Sequence, residues 1–258
     1  MGVITRKEAL AAAFGEAAES YDSGAGLQRV VAERLADRIT ALELPRTPRI
    51  LEIGCGTGFL SRALRQRLGP AAWLLTDLSE AMVGRCRESF GDPADALFCV
   101  MDGERPGLAP GFDLICASLV FQWFEALGPS LHRLSDLLAP GGHLAFATLA
   151  EDTFAEWRQA HRAFDLNAGV PDYPAPAALA ALLPANGSGT VEDERLPRRH
   201  ADALAFLTDL KRIGAQLPTP GRRPLPAGTL RRVLRQFDRP AGLTVTYHVA
   251  YGVFRRAG

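Results

Sequence analysis

The segment from residue 50 to residue 58 constrains the fold of this chain more than any other feature. Residues 50–53 are mostly apolar, which is typical of a buried parallel strand. Three glycines follow at alternate positions: Gly54, Gly56 and Gly58. Glycine allows a sharp backbone turn and lets a ligand approach main-chain atoms with no Cβ in the way. The pattern predicts a strand that ends in a turn suited to binding a ligand.

The residue two positions before the first glycine is an acid, Glu52. Its carboxylate would repel a pyrophosphate, and the third glycine comes one position earlier than in the dinucleotide fingerprint Gly-x-Gly-x-x-Gly. A carboxylate here suits a ligand that carries an ammonium group and ribose hydroxyls. S-adenosylmethionine has both, so the segment favours this ligand over a nicotinamide dinucleotide. Taken alone, the glycines also fit an ordinary strand-to-helix turn.

Acids end the next two predicted strands as well. The strands predicted after the glycine turn cover residues 73–76, 97–101, 112–117 and 143–149. Asp77 follows the first of these strands and is placed to accept hydrogen bonds from ribose hydroxyls. Asp102 ends the second and, with Gly103, suits the exocyclic amine of an adenine. Acids at successive strand ends indicate one ligand site along one edge of a sheet.

Helical patterns separate these strands. Leucines recur at four-residue spacing from residue 60 to residue 68, Ser79 suits a helix N-cap, and residues 127–138 form a further helical segment. Strands separated by such helices pair in parallel through right-handed crossovers. Ligands in these sheets bind outside the carboxyl ends of the strands. The core of the chain is therefore predicted to be an α/β domain.

The remaining segments are predicted to be mainly helical, with two late strands. The predicted helices cover residues 4–42, with a break near 21–24, and residues 151–168, 175–183 and 201–215. The predicted strands cover residues 190–198 and 243–254, and residues 218–226, rich in proline and arginine, are predicted to be irregular.

Composition narrows the class of protein. With 258 residues, 47% of them hydrophobic, the chain can bury one large core, which predicts a single domain with an appendage. The net charge of zero removes a global attraction to nucleic acid or to anionic membranes. The start of the chain lacks a secretory signal and no long apolar run occurs, so we expect a cytoplasmic protein with no membrane span. The four cysteines are interpreted as small buried hydrophobes, and the scattered histidines predict no metal site.

The segment 52–58, together with Asp77, Asp102 and the turn 140–142, resembles the class I S-adenosylmethionine-dependent methyltransferases. Other segments, spread over nearly the full length, are similar to the malonyl-[acyl-carrier protein] O-methyltransferases of biotin synthesis. These are Ala11–Gly15, Ser20–Asp22, Leu27–Arg29, Leu119–Trp123, Leu210–Ala215 and Leu243–His248. The chain departs from that family at Arg212, where members often carry glycine, and residues 150–200 contain no matching motif.

The resemblance implies a Rossmann-like sheet of seven strands, mostly parallel, with an antiparallel last strand and a helical cover. It divides the chain into an N-terminal helical cover (1–42), a donor-binding core (43–150) and a remainder of the sheet with inserted helices that form a substrate lid (151–258). The implied reaction transfers a methyl group from S-adenosylmethionine to the free carboxylate of a malonyl thioester, giving a methyl ester for biotin synthesis. The acyl carrier is left open between acyl-carrier protein and coenzyme A. The oligomeric state is also open, with a monomer favoured.

The resemblance also assigns site residues. The residues expected to contact the methyl donor are Tyr21, Gln28, Glu52, Gly54, Gly56, Asp77, Leu78, Met82, Asp102, Gly103 and Ser118. The residues expected near the acceptor are Gln122, Trp123 and Lys211. Tyr21 and Gln28 also fit a core tyrosine and a surface glutamine, Trp123 fits packing, and Lys211 fits a solvated helix face. No catalytic base is expected, because a malonyl carboxylate with an ordinary pKa near 4 is already ionised at pH 7.

The sequence leaves three alternative functions open, and it leaves open the role of one group of arginines. The chain is also interpretable as a class I methyltransferase for another small acid or a quinone carbon, as a non-catalytic donor-binding module, or, less readily, as a nicotinamide oxidoreductase. Several arginines form either a basic face for an acidic carrier protein or a solvated helix face. They are Arg222, Arg223, Arg231, Arg232 and Arg235.

Overall fold

The computed structural model describes residues 5–91, 93–213, 225–238 and 242–258. The strands are β1 (Arg49–Ile53), β2 (Ala72–Asp77), β3 (Ala96–Val100), β4 (Phe112–Ser118), β5 (Leu138–Leu149), β6 (Gly187–His200) and β7 (Leu243–Arg256). The helices are α1 (Arg6–Ala17), α2 (Tyr21–Gly24), α3 (Gly26–Thr40), α4 (Phe59–Arg67), α5 (Glu80–Phe90), α6 (Leu127–Leu137), α7 (Ala155–Arg162), α8 (Pro176–Ala181), α9 (Ala203–Arg212) and α10 (Ala227–Phe237). A single 3-10 turn covers Phe121–Trp123.

The strands form one sheet in the order β3-β2-β1-β4-β5-β7-β6. Strands β1 to β5 pair in parallel, while β7 is antiparallel to both of its neighbours. The predicted fold, a mostly parallel sheet of seven strands with an antiparallel last strand, is therefore confirmed. The strand order reverses between β1 and β4, and ligands of such sheets bind outside the carboxyl ends of the strands at this point.

Helices cover both faces of the sheet because its central strands are apolar on both sides. On one face, α3 and α4 bury Val31, Leu35 and Leu64 against the sheet. On the other face, α6 buries Leu131 and Leu134. Helix α3 thus belongs to the layer that covers the sheet, and the domain boundaries after residues 42 and 150 stay a prediction.

A third group of helices, α7, α9 and α10, packs beyond β5 and β7 through aromatic rings. Trp157 of α7 lies 5.0 Å from Phe237 of α10 and 5.9 Å from Phe206 of α9, measured between ring centroids. Phe154 lies 4.9 Å from the ring of Tyr247 on β7. These rings give the segments after β5 an apolar core that is continuous with that of the sheet.

Several predicted boundaries are wrong. The helix predicted over residues 151–168 is limited to α7, because Phe154 has a φ of 62° and Asp165 a φ of 53°, values that an α-helix does not contain. Strand β5 begins at Leu138 and includes the predicted turn 140–142, at a point where its register with β4 shifts. Cys99 is exposed on β3, which sits at the edge of the sheet, whereas the other three cysteines are buried as predicted.

Some predictions fall outside the described residues. These are Gly214 and Ala215 of the predicted helix 201–215, Arg222 and Arg223 of the basic cluster, and most of the irregular segment 218–226. Among the residues that the structure does describe, no helix is both long and apolar enough to span a membrane.

Candidate functional site

The glycine turn between β1 and α4 forms one wall of a cavity at the carboxyl edge of the sheet. The φ angles of Gly54 and Gly56 are 67° and 53°, in the left-handed region that favours glycine. A Cβ on Gly54 would lie 2.4 Å from a methyl carbon of Val120, so the turn packs closely against the end of β4. A Cβ on Gly56 would meet no heavy atom within 4 Å. Gly56 therefore leaves free space at the cavity wall, which a ligand can approach.

Asp77 at the end of β2 fixes the glycine turn. Its carboxylate accepts one hydrogen bond from the backbone N–H of Gly56 at 3.0 Å and another from the N–H of Ser79 at 2.8 Å. Burial raises the pKa of Asp77, while these backbone N–H groups lower it. The N–H of Leu78 is a third backbone donor, so the carboxylate keeps at least one lone pair for a ligand hydroxyl.

Glu52 lies behind the glycine turn with only 1% of its surface exposed. Burial raises the pKa of this carboxyl to about 8, and the hydrogen bond donated by the Ser61 hydroxyl at 2.5 Å lowers it in part. Glu52 lines a small cavity that also contains Gln28. The side-chain oxygen of Gln28 is buried and has no hydrogen-bond partner within the described residues. A buried carboxyl beside an unpaired amide oxygen is a set of acceptors suited to an ammonium group.

The other end of the site contains a cluster of charges that the sequence did not predict. The ammonium group of Lys7 on α1 lies 2.5 Å from Asp102 and 2.7 Å from Glu104. Asp102 also accepts a hydrogen bond from the N–H of Glu104 at 3.0 Å. The buried Glu104 carboxylate accepts bonds from the N–H groups of Glu125 and Ala126. The ion pairs of Lys7 therefore hold α1 against this end of the cavity.

Helix α2 brings Tyr21 over the glycine turn. Asp22, the next residue, accepts a hydrogen bond from the Thr57 hydroxyl at 2.6 Å, which ties α2 to the turn. Burial raises the pKa of Tyr21 well above its ordinary value, and the nearby Asp77 adds to the effect. Tyr21 lines the cavity of Asp77, the cavity of Glu52 and a third, larger cavity.

The third cavity, which we call the acceptor chamber, has a volume of about 550 Å³ and a largely apolar wall. Its wall comes from α9, the aromatic rings around α7, the loop 168–173 and the end of β4. Leu119 and Trp123 line both the chamber and the cavity of Asp77. Leu119 has a φ of 56°, a conformation that is costly for a branched residue and that clusters at functional sites. The chamber and the ligand cavity therefore meet at Tyr21, Leu119 and Trp123.

Every residue predicted to contact the donor lines one of the two smaller cavities. The cavity with Asp77 and Asp102 also contains Tyr21, Gly54, Gly56, Leu78, Met82, Gly103 and Ser118, and the cavity with Glu52 contains Gln28. The predicted acceptor residues Gln122, Trp123 and Lys211 all line the chamber. Gln122 is also engaged within the protein, since its amide donates to the carbonyl of Leu119 at 2.6 Å.

Sequence reasoning missed other residues of the ligand cavity. They include Lys7, Leu10, Phe14, Met101, Glu104, Leu119, Val120 and Phe124. Phe14, Leu119 and Val120 lie in segments that carried the family resemblance, which was the available signal. The others belong to the site because of tertiary packing.

Comparisons with known proteins agree with this geometry. A family model described as a methyltransferase domain matches residues 27–192. The biotin biosynthesis bifunctional protein BioCD of Bordetella avium is 51% identical over 96% of this chain, which spans only 52% of that longer protein. A malonyl-[acyl-carrier protein] O-methyltransferase of Magnetococcus marinus is 43% identical, over 95% of this chain and 91% of that protein. A Haemonchus contortus phosphoethanolamine N-methyltransferase, solved with S-adenosylhomocysteine, shares the fold with a TM-score of 0.60 at 12% identity, over 99% of this chain and 61% of that one.

The fold and the site define a class I methyltransferase whose co-substrate is S-adenosylmethionine. Within this class, the chain belongs to the family of the malonyl-[acyl-carrier protein] O-methyltransferases. Both levels of the predicted resemblance are thereby confirmed.

Replacing Lys7 by methionine should weaken donor binding about tenfold, because α1 then loses its ion pairs to Asp102 and Glu104. The dissociation rate of S-adenosylhomocysteine, measured by stopped flow, should rise accordingly. Arg85→Met is the matched control, since it removes only an exposed ion pair with Glu88 on α5. Equal dissociation rates in the wild type and in Lys7→Met would show that Lys7 does not hold the cavity closed.

Proposed function

We propose that this protein transfers the methyl group of S-adenosylmethionine to the free carboxylate of a malonyl thioester. The product is the methyl ester with which acyl-chain synthesis for biotin begins. The names of the relatives support malonyl-[acyl-carrier protein] as the acceptor. The observation that carries the proposal is the junction of the acceptor chamber with the donor cavity at Tyr21, Leu119 and Trp123. The four free cysteines are compatible with a reducing cytoplasm, where we place the reaction.

The residues of the two smaller cavities fit the donor part by part. We assign its ammonium group to Glu52, the Gln28 side-chain oxygen and the backbone carbonyl of Ser118, because these acceptors border one small space. The remaining acceptor capacity of Asp77 suits the ribose hydroxyls. Asp102 and Gly103 suit the adenine amine, which would share the Asp102 carboxylate with Lys7. The space beside Gly56 lets the donor approach the main chain.

The acceptor needs orientation and exclusion of water, since an ionised carboxylate requires no base. An apolar chamber that meets the donor cavity provides both, and such effects lower a barrier by several kcal/mol. No histidine lines the donor cavities or the chamber within the described residues. His143 is buried in β5 beside Leu114 of β4 and lines none of these cavities. These observations favour carboxylate methylation over methylation of a quinone carbon.

Mass spectrometry of malonyl-acyl-carrier protein after incubation with enzyme and donor tests the proposal. We expect a gain of one methyl group on the malonyl carboxylate. Free dicarboxylic acids serve as the competing acceptors. Donor binding by calorimetry without methylation of any malonyl thioester would instead favour a non-catalytic binding module.

A carrier-protein partner is supported by the arginines of α10. Arg231 and Arg235 are exposed one helical turn apart and are suited to an acidic surface. Arg232 differs, because its guanidinium group lies over the ring of Phe164, 4.7 Å from the centroid. Charge reversal at Arg232 would therefore disturb packing as well as charge.

Reversing the charge of Arg231 and Arg235 together, both to glutamate, should raise the KM for malonyl-acyl-carrier protein about tenfold at low salt. The effect should shrink as the ionic strength rises, and the KM for malonyl-coenzyme A should stay unchanged. Replacing both residues by glutamine is the control for loss of charge without reversal. A KM for the carrier-protein substrate that is unaffected at low salt would exclude this face as the docking surface.

A further inference from the structure

The hydroxyl groups of the three tyrosines outside the donor cavities fall into two kinds. The Tyr251 hydroxyl donates a hydrogen bond to Glu194 at 2.6 Å, far from the acceptor chamber in the sheet. The hydroxyls of Tyr173 and Tyr247 have no hydrogen-bond partner among the residues that the structure describes. Both side chains line the acceptor chamber, and Tyr247 is only 7% exposed. Neither hydroxyl oxygen is fully buried, so both are accessible from the cavity and can bind a ligand or water.

Three other polar groups of the chamber wall are used within the protein. The indole N–H of Trp157 donates to the carbonyl of Ala168 at 3.1 Å, and the Thr208 hydroxyl donates to the carbonyl of Leu204 at 2.7 Å. The Gln122 amide is engaged by Leu119. The hydroxyls of Tyr173 and Tyr247 are thus uncommitted donors in a largely apolar wall. The wall also contains Tyr21 and Gln28, which line the donor cavities as well, and the ammonium group of Lys211. Specific polar contacts in ligand pockets are few and placed in this way.

Both tyrosines stay protonated at neutral pH. Burial raises the pKa of Tyr173 to about 12 and also raises the pKa of Tyr247 well above its ordinary value, with the Asp209 carboxylate adding to the shift of Tyr247. They therefore act as neutral O–H donors, which suit carbonyl oxygens.

The position of the two hydroxyls determines which part of the acceptor they can contact. The malonyl carboxylate must reach the donor methyl group, near the junction at Tyr21 and Leu119. Tyr173 and Tyr247 line the chamber but not the donor cavity. They are therefore placed for the part of the acceptor that lies away from the reacting carboxylate. In a thioester acceptor, that part carries the thioester carbonyl and the amide carbonyls of the arm.

We infer that Tyr173 and Tyr247 donate hydrogen bonds to carbonyl oxygens of the acceptor's thioester arm and so position its carboxylate for methylation. This inference rests on the proposed function. It makes both tyrosines positioning and specificity-determining residues, since they select an acyl thioester over a free acid without touching the methyl donor.

Tyr173→Phe, Tyr247→Phe and the double variant test the inference, with Tyr251→Phe as the matched control. For each chamber variant we expect kcat/KM for malonyl-acyl-carrier protein to fall tenfold or more, with the Kd of S-adenosylhomocysteine changed less than twofold. Their Tm should stay close to that of the wild type, because each loses a hydroxyl that makes no hydrogen bond within the described residues. Tyr251→Phe should show the reverse pattern, a lower Tm from the lost hydrogen bond to Glu194 and unchanged kinetics.

Two outcomes would overturn the inference while leaving the proposed function intact. One is a wild-type value of kcat/KM in the double variant. The other is a loss of Tm and of donor affinity in the chamber variants, which would indicate a structural role. Failure of the wild-type protein to methylate a malonyl thioester would refute the proposed function itself, and this assignment with it.

Discussion

Replacing Glu52 by glutamine should abolish donor binding while it stabilises the free protein at alkaline pH. The buried carboxyl has a pKa of about 8, well above its ordinary value of 4.5, because burial disfavours its charged form. The donor's ammonium group requires that charged form. Glutamine keeps the shape and can still accept the hydrogen bond of Ser61, but it offers no charge. We expect the affinity for S-adenosylhomocysteine to fall at least 100-fold, or roughly 3 kcal/mol.

The raised pKa of Glu52 determines how the stability of the protein and its affinity for the donor each change with pH. The folded protein holds a proton on Glu52 that the unfolded chain releases above pH 4.5, so this group's contribution to stability is lost as the pH rises from 4.5 to about 8. The loss amounts to roughly 1.4 kcal/mol per pH unit over that interval. Donor affinity should change in the opposite direction and rise close to tenfold per unit between pH 6 and 7, because less of the carboxyl must be deprotonated on binding.

Calorimetry with S-adenosylhomocysteine at pH 6, 7 and 8, and thermal unfolding over the same range, would measure both dependences. In Glu52→Gln, the part of the pH dependence of stability that comes from Glu52 should be absent. The Tm of this variant should therefore exceed that of the wild type by an amount that grows with pH. Ser61→Ala is the control, since it removes only the hydrogen bond that favours the ionised form. It should move the pH dependence of binding upward without abolishing it. A donor affinity that is flat from pH 6 to 8 in the wild type would contradict the role of Glu52.

The ligand edge of the sheet was predictable because each of its features is local in sequence. The apolar run ending at Ile53 and the glycines after it specify a strand and a turn. Asp77 is the last residue of β2 and Asp102 lies two residues beyond the end of β3. Parallel pairing then brings the strand ends to one edge whatever the details of packing. For this reason the acids could be assigned to one site from the sequence alone.

The cover of the site was less predictable because it depends on contacts between distant segments. Lys7 pairs with Asp102, which lies 95 positions later in the sequence, and no local pattern predicts that pairing. The helix predicted over residues 151–168 begins only at Ala155, because the backbone of Phe154 is left-handed. The ring of Phe154 is apolar and buried, so its side chain alone fits the helical pattern. Tyr173 could not be predicted as a site residue, because only the folded position of the loop 168–173 brings it to the wall of the chamber.

Alanine at Gly54 should damage both folding and donor binding, whereas alanine at Gly56 should damage mainly donor binding. Both positions have positive φ, so each substitution costs about 1–2 kcal/mol of backbone strain. Only at Gly54 does the new Cβ also collide with the protein, at 2.4 Å from Val120. Such a clash adds about 1–3 kcal/mol, so Gly54→Ala should unfold at a Tm several degrees lower than Gly56→Ala.

The two variants separate a structural glycine from one that makes room for a ligand. At Gly56 the added Cβ occupies the free space that we assign to the donor, so the affinity for S-adenosylhomocysteine should fall about 100-fold with little further loss of Tm. Gly84→Ala is the control, because Gly84 lies inside α5 with open space around it and its replacement should raise stability by up to about 1 kcal/mol. Thermal unfolding and calorimetry on the three variants give the comparison. If Gly56→Ala bound the donor as tightly as the wild type, the space beside Gly56 would not be donor space, and the donor would have to approach the chain elsewhere.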